Sequence, residues 1–87
     1  MAENVLVIDI VPDTDQVDLD GVIEEIKKHL PEYARLVNHK KEPFFYGTYK
    51  LTIRVVVPEK EGLADEIEGI LSQIDGVTAE VVRMGRL

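Results

Sequence analysis

Cysteine is absent from the 87 residues, which removes disulfides, thiol nucleophiles, zinc-finger sites and iron–sulfur ligation. Such a chain suits a reducing compartment, and a cytoplasmic location is expected. Basic residues are also scarce: 10 Lys and Arg stand against 17 Asp and Glu, a formal charge of −7. That balance argues against non-specific binding to nucleic acid or to an anionic membrane, because both depend on Lys and Arg neutralising phosphate. No apolar run approaches the roughly 18 residues of a membrane span, and the N-terminus lacks the basic-then-apolar order of a signal peptide. Gly62, Gly69, Gly76 and Gly85 are scattered. No glycine-rich loop joins a strand to a helix, so neither a phosphate cradle nor direct nucleotide binding is expected.

What is present is a chain that folds. Its hydrophobic fraction of 45% is that of a globular protein, whereas a disordered acidic chain is poor in Val, Ile and Leu. A chain of this length buries roughly 60–65% of its unfolded surface. The expected core is thin, in two layers, with little room for an enclosed catalytic cavity, so function belongs on the surface and no enzyme activity is expected. Residues 1–87 read as one domain.

Val5 to Val11 alternate, with Leu6, Ile8 and Ile10 on one face, the period-2 mark of a strand that Pro12 ends. Asp18 is placed to cap a helix whose apolar positions, Leu19, Val22, Ile23, Ile26 and Leu30, trace one face. Acidic residues stand early in that helix and Lys27 and Lys28 late, as the macrodipole favours. Ala34 to Lys41 reads as a short edge strand, and a turn follows around Pro43 to Gly47. Tyr49 to Val57 gives the strongest strand pattern, stopped by Pro58. A second helix carries Leu63, Ile67, Ile70, Leu71 and Ile74 on one face, with Gly76 as its stop. Val77 to Met84 is a last strand, with Val77, Ala79 and Val81 inward.

The order strand, helix, strand, strand, helix, strand repeats one split β-α-β unit. It predicts an α+β, ferredoxin-like βαββαβ sandwich, a four-stranded antiparallel sheet with both helices on one face. Right-handed crossovers put the first and third strands at the centre. The other face would carry Val7, Asp9, Lys50, Thr52, Arg54, Val56 and Glu80, a candidate interaction surface that is equally ordinary as solvated sheet.

Charge is uneven. Residues 1–37 hold 3 basic and 9 acidic side chains, 38–58 hold 4 and 1, and 59–87 hold 3 and 7, so the sums are −6, +3 and −4. Lys40, Lys41, Lys50 and Arg54 are expected to flank the middle turn, with Arg83 and Arg86 marking the tail. A basic edge on an acidic protein can address phosphates or a partner's acidic patch, although charge alone favours a solvated surface. The run Asp13, Asp15, Asp18, Asp20 fails the EF-hand spacing, because Val17 takes a ligand position and Asp18 takes the place of the turn glycine. Capping and solubility explain it better than a metal site. His29 and His39 have no nucleophile tied to them by a motif, so they read as surface residues.

Phe44-Phe45-Tyr46-Gly47 gathers three of the five aromatic residues at one turn. Phe44 and Phe45 are expected to cover the end of the sandwich. Tyr46 is the expected exposed anchor for a protein partner, since an aromatic ring offers large contact area at low entropic cost.

Glu42-Pro43-Phe44-Phe45-Tyr46-Gly47, then Tyr49-Lys50-Leu51 running into Val55-Val56-Val57, then Asp75-Gly76-Val77 after an acidic helix, together resemble the archaeal translation elongation factor 1-beta family. The resemblance extends to the opening strand and to Val17-Asp18-Leu19, so it covers nearly the whole chain. It implies a ferredoxin-like fold and guanine nucleotide exchange on the elongation factor 1-alpha GTPase. It also implies partner-binding roles for Phe45, Tyr46, Gly47, Lys50, Arg83 and Arg86, with no cofactor and no metal. Arg86 matches the penultimate basic residue that the family directs at the GTPase magnesium site. It stands where the eukaryotic pattern has Lys. Tyr46 matches the aromatic before the loop glycine, where Phe is common. The reading from another class is a ferredoxin-like regulatory domain that binds a small ligand or self-associates. An RNA-binding module of this topology ranks below it, because exposed aromatics on basic strands are missing. An acylphosphatase-like enzyme ranks lower still.

Overall fold

A computed structural model describes residues 2–87. Strand β1 (Glu3–Pro12) leads to helix α1 (Leu19–His29), strand β2 (Arg35–Pro43), strand β3 (Tyr49–Pro58), helix α2 (Leu63–Leu71) and strand β4 (Val77–Arg86). The sheet order is β2-β3-β1-β4 and all three pairings are antiparallel. This is the ferredoxin-like α+β arrangement that the alternating pattern predicts, with β1 and β3 in the centre.

Register places the core. Leu6 pairs with Val55, Ile8 with Ile53 and Ile10 with Leu51, and residues opposite one another in a ladder point to the same face. All six side chains are fully buried, against Val22, Ile23 and Ile26 of α1 and Leu63, Ile67 and Leu71 of α2. Each such side chain contributes about 1.5–3 kcal/mol through its removal from water. Helix α1 begins where Asp18 accepts the Asp20 backbone N–H at 3.1 Å, satisfying a donor that the helix leaves free. It ends before Pro31, with Lys27, Lys28 and His29 in the last turn.

The last third of the chain departs from its expected layout. Helix α2 stops at Leu71, not near Gly76. Ile74 is still buried, but from a tight turn in which its N–H donates to Leu71 O at 3.2 Å. Gly76 (φ 86) lies in the loop entering β4, and its carbonyl accepts the Asp13 N–H at 2.8 Å. In β4, Val77 and Ala79 are buried as expected, whereas Val81 is only partly so. The register slips between Ile8↔Val81 and Val7↔Arg83, leaving Val82 as the extra, exposed residue of a bulge. Helix α2 covers the outer side of this edge strand: Glu68 accepts the Val81 N–H at 2.7 Å, and Ser72 donates to Ala79 O at 3.5 Å. The opposite edge strand, β2, runs two residues past its expected end and carries its own register shift at Val37.

Candidate functional site

The two helices leave one sheet face open, and register assigns Val7, Asp9, Thr52, Arg54, Val56 and Glu80 to it, as the alternation predicts. Val56, expected on this candidate interaction surface, is instead buried: it is only 4% exposed, between Val5 and Arg35 on its neighbouring strands. Asp9 lies deep in this face. It accepts a hydrogen bond from Lys50 Nζ at 2.8 Å and another from Thr52 Oγ1 at 3.0 Å.

Lys50 continues the arrangement toward the β2–β3 connection. Its ammonium lies 5.5 Å from the Phe44 ring centroid, within cation–π range. The Phe44 and Phe45 rings meet with centroids 4.5 Å apart, and Phe45 and Tyr46 with centroids 6.4 Å apart. Phe45–Gly47 forms one tight 3₁₀ turn closed by backbone bonds in both directions, Phe44 N–H to Thr48 O and Thr48 N–H to Phe45 O, each 2.9 Å. The closure forces two consecutive residues into the left-handed region, Tyr46 (φ 51, ψ 44) and Gly47 (φ 77). Glycine meets that demand without cost. Tyrosine does not, and its ring is fully exposed at the tip. Phe44 and Phe45 are both exposed, at 38% and 66%, so the expectation that they cover the sandwich end fails. The turn is too short to fold its aromatics back over the core, and it holds them outward.

The basic cluster expected around this turn is largely neutralised. Lys40 pairs with Glu42 at 3.6 Å, Lys41 with Asp20 at 3.0 Å and Lys50 with Asp9 at 2.8 Å. Arg54 does not flank the turn: it stands mid-strand opposite Val7, whose other neighbour is Arg83. Neither arginine makes an ion pair among the described residues. The aspartate run is accounted for by Asp18 capping α1, Asp13 accepting the Thr78 hydroxyl at 3.2 Å and Asp20 meeting Lys41. Among the described residues, no three His, Asp or Glu side chains converge as a metal site requires. Both histidines are exposed.

Arg86 lies elsewhere. It pairs in register with Asn4, beside Val57, whereas Lys50 stands next to Leu51, opposite Ile10. The aromatic turn and the tail therefore occupy opposite ends of the sheet, roughly 25 Å apart at 3.3–3.4 Å per residue, on a molecule 41 Å long. At the tail the Leu87 N–H donates to Glu3 O at 2.9 Å, extending the ladder by one residue. The Arg86 guanidinium donates to the Glu59 carboxylate, and this hydrogen bond raises its pKa further above the ordinary arginine value. Met84 and Leu87 are exposed on either side. Sequence reasoning missed both Glu59 and Met84. Glu59 lies 27 positions from Arg86, and only the β1–β3 and β1–β4 registers together bring them into contact.

Residues 5–87 match the family model for the EF-1 guanine nucleotide exchange domain. This chain belongs to that family. The exchange-domain assignment agrees with curated relatives that carry the name elongation factor 1-beta. That of Sulfurisphaera tokodaii is 42% identical over 89 aligned positions, covering 100% of this chain and 98% of the relative. That of Sulfolobus acidocaldarius is 40% identical over 84 positions, covering 94% and 93%. That of Saccharolobus islandicus is 36% identical over 89 positions, covering 100% and 98%. The family resemblance read over nearly the whole chain thus holds, and a role in nucleotide exchange during translation elongation follows from it. No helix among the described residues is long and apolar enough to cross a membrane.

Proposed function

We propose that this chain, acting as one exchange domain in the cytoplasm, promotes GDP release from the elongation factor 1-alpha GTPase. It makes and breaks no covalent bond, and it needs neither a cofactor nor nucleic acid. The observation that carries this reading is the match of residues 5–87 to the exchange-domain family. The geometry supports a two-ended grip: Phe45, Tyr46 and Gly47, steadied by Lys50, engage one surface of the GTPase, while Arg86 reaches a second some 25 Å away, with Arg83 on the face between.

A GTPase holds GDP through P-loop amides, a lysine and a magnesium ion, so an exchange factor has to weaken the phosphate and magnesium contacts. Tyr46 and Phe45 supply apolar anchoring area for the encounter. The Arg86 guanidinium presents positive charge where the ion sits, and the strand ladder up to Leu87 holds its backbone against recoil. By linkage, the factor by which the protein weakens GDP binding equals the factor by which GDP weakens its own binding.

The test is release of labelled GDP from elongation factor 1-alpha with and without this protein, together with a chain lacking Arg86 and Leu87. Acceleration at micromolar concentration is expected. The truncated chain is expected to keep its thermal unfolding within a few degrees and to lose exchange. No acceleration by the intact protein overturns the reading, and retained exchange after truncation removes Arg86 from it.

A further inference from the structure

Arg86 is not free in the structure: its guanidinium is bound by the Glu59 carboxylate. Both partners sit on fixed backbone. Glu59 follows Pro58, whose ring restricts φ, and its own N–H donates to Ala2 O at 3.1 Å. Arg86 is the last residue of β4, and the Leu87 N–H on Glu3 O holds the chain beyond it. The meeting of the two side chains is therefore a property of the sheet end, not of a loose tail.

The pair is only half used. One guanidinium nitrogen meets one carboxylate oxygen, whereas a fork-to-fork pair would engage two of each. Most of the five arginine donors remain open to solvent, as the exposure of Arg86 indicates. A ligand for those donors in a GTPase site is anionic, phosphate or carboxylate, and Glu59 carries the same sign of charge. Arg86 thus cannot give its full charge to such a group while Glu59 holds it, and Glu59 itself is repelled by whatever Arg86 approaches.

We propose that Glu59 is a parking counter-ion for Arg86, a positioning residue that holds the guanidinium in the free protein and must release it on docking, so that it weakens the complex and speeds its dissociation. This rests on the exchange reading above. An exposed ion pair of this kind shifts an equilibrium by about two- to fivefold, enough to set turnover without abolishing binding.

The experiment is a double-mutant cycle on GDP release with the intact chain, E59Q, R86A and the double variant, combined with NMR of the arginine side-chain Nε–Hε groups in the free proteins. E59Q keeps the size of the side chain and removes its charge. It is expected to lower the half-saturating concentration about two- to fivefold at low salt, less at high salt where screening shortens the reach of Glu59. No such gain is expected in the R86A background, where exchange is lost and affinity for the GTPase is read by titration calorimetry of the single and double variants instead. The Arg86 Nε–Hε signal is expected to be restrained in the intact chain and mobile in E59Q. An unchanged or weaker half-saturating concentration for E59Q, or an equal gain without Arg86, overturns the proposal. So does an Arg86 signal identical in the two proteins, a result that stands even if the intact chain fails to accelerate GDP release and the exchange reading falls by itself.

Discussion

Tyr46 has a left-handed backbone, uncommon for a residue with a bulky side chain, and its side chain is fully in water. Replacing it with glycine separates them. The left-handed conformation costs a side-chain-bearing residue roughly 1–2 kcal/mol, which glycine does not pay. Against that, glycine gives the unfolded chain extra freedom worth about 0.4–1 kcal/mol. No buried area is lost, and the one aromatic neighbour among the described residues is Phe45 at 6.4 Å, near the long end of the useful range. The net is a gain of about 0.5–1 kcal/mol, which in a domain of this size raises Tm by about 2–8 °C. Y46A keeps the backbone cost and serves as the control, with stability close to that of the parent. Both variants lose the ring, so both are expected to raise the half-saturating concentration for exchange about thirtyfold or more, the loss of about 2 kcal/mol that defines an anchor residue. Calorimetry and labelled-GDP release check the two halves independently. A Tm that falls by several degrees in Y46G refutes the strain argument, and unaltered exchange in either variant refutes the anchor.

Three further outcomes follow from local geometry. D9A leaves the Lys50 ammonium, 23% exposed, without its carboxylate, and is expected to cost about 1–3 kcal/mol in urea unfolding; a change below about 0.5 kcal/mol would show that solvent already satisfies Lys50. G76A forces a left-handed alanine whose Cβ would lie 3.1 Å from Val17 Cγ2, with an expected loss of roughly 1–2 kcal/mol; parity with the parent would mean that the β4 entry adjusts freely. The Tyr33 hydroxyl donates to Glu66 at 2.5 Å, and the carboxylate pushes its pKa from 10 up to about 12. The folded state thus holds this proton more tightly than the unfolded chain, so the contact stabilises fully below about pH 10 and its contribution is lost as pH rises toward 12. Phenolate absorbance should show Tyr33 titrating late, and E66Q should return it toward the ordinary tyrosine value of 10.

The fold was legible because its centre obeys strict alternation. Leu6, Ile8 and Ile10 against Leu51, Ile53 and Val55 leave one way to bury six side chains, and Asp18 marks a helix start by chemistry alone. What escaped depends on partners distant in sequence. The slip at Val82 arises from pairing with β1 and from Glu68 reaching the Val81 N–H, and no periodicity within β4 announces either. Ile74 has the spacing of a helical face but is buried from a turn. Within the candidate site, residue types were readable and placement was not. The lysines near the turn look free in sequence and are paired in space, while the aromatic turn and Arg86 prove to lie at opposite ends of the sheet.

The carboxylate of Glu68 and the hydroxyl of Ser72 have a consequence for how the protein behaves in a crowded solution. An outer strand with bare amides is a template onto which another chain can add. Here the Val81 amide is already taken by Glu68, and Ser72, the residue that caps the end of the same helix, occupies the Ala79 carbonyl. The far strand replaces that cover with Lys40, Lys41 and the terminal Pro43, residues that discourage a flat neighbour. Resistance to fibril seeding is thus built into helix α2, and a chain lacking the Glu68 carboxylate would be the one to watch for strand-by-strand growth.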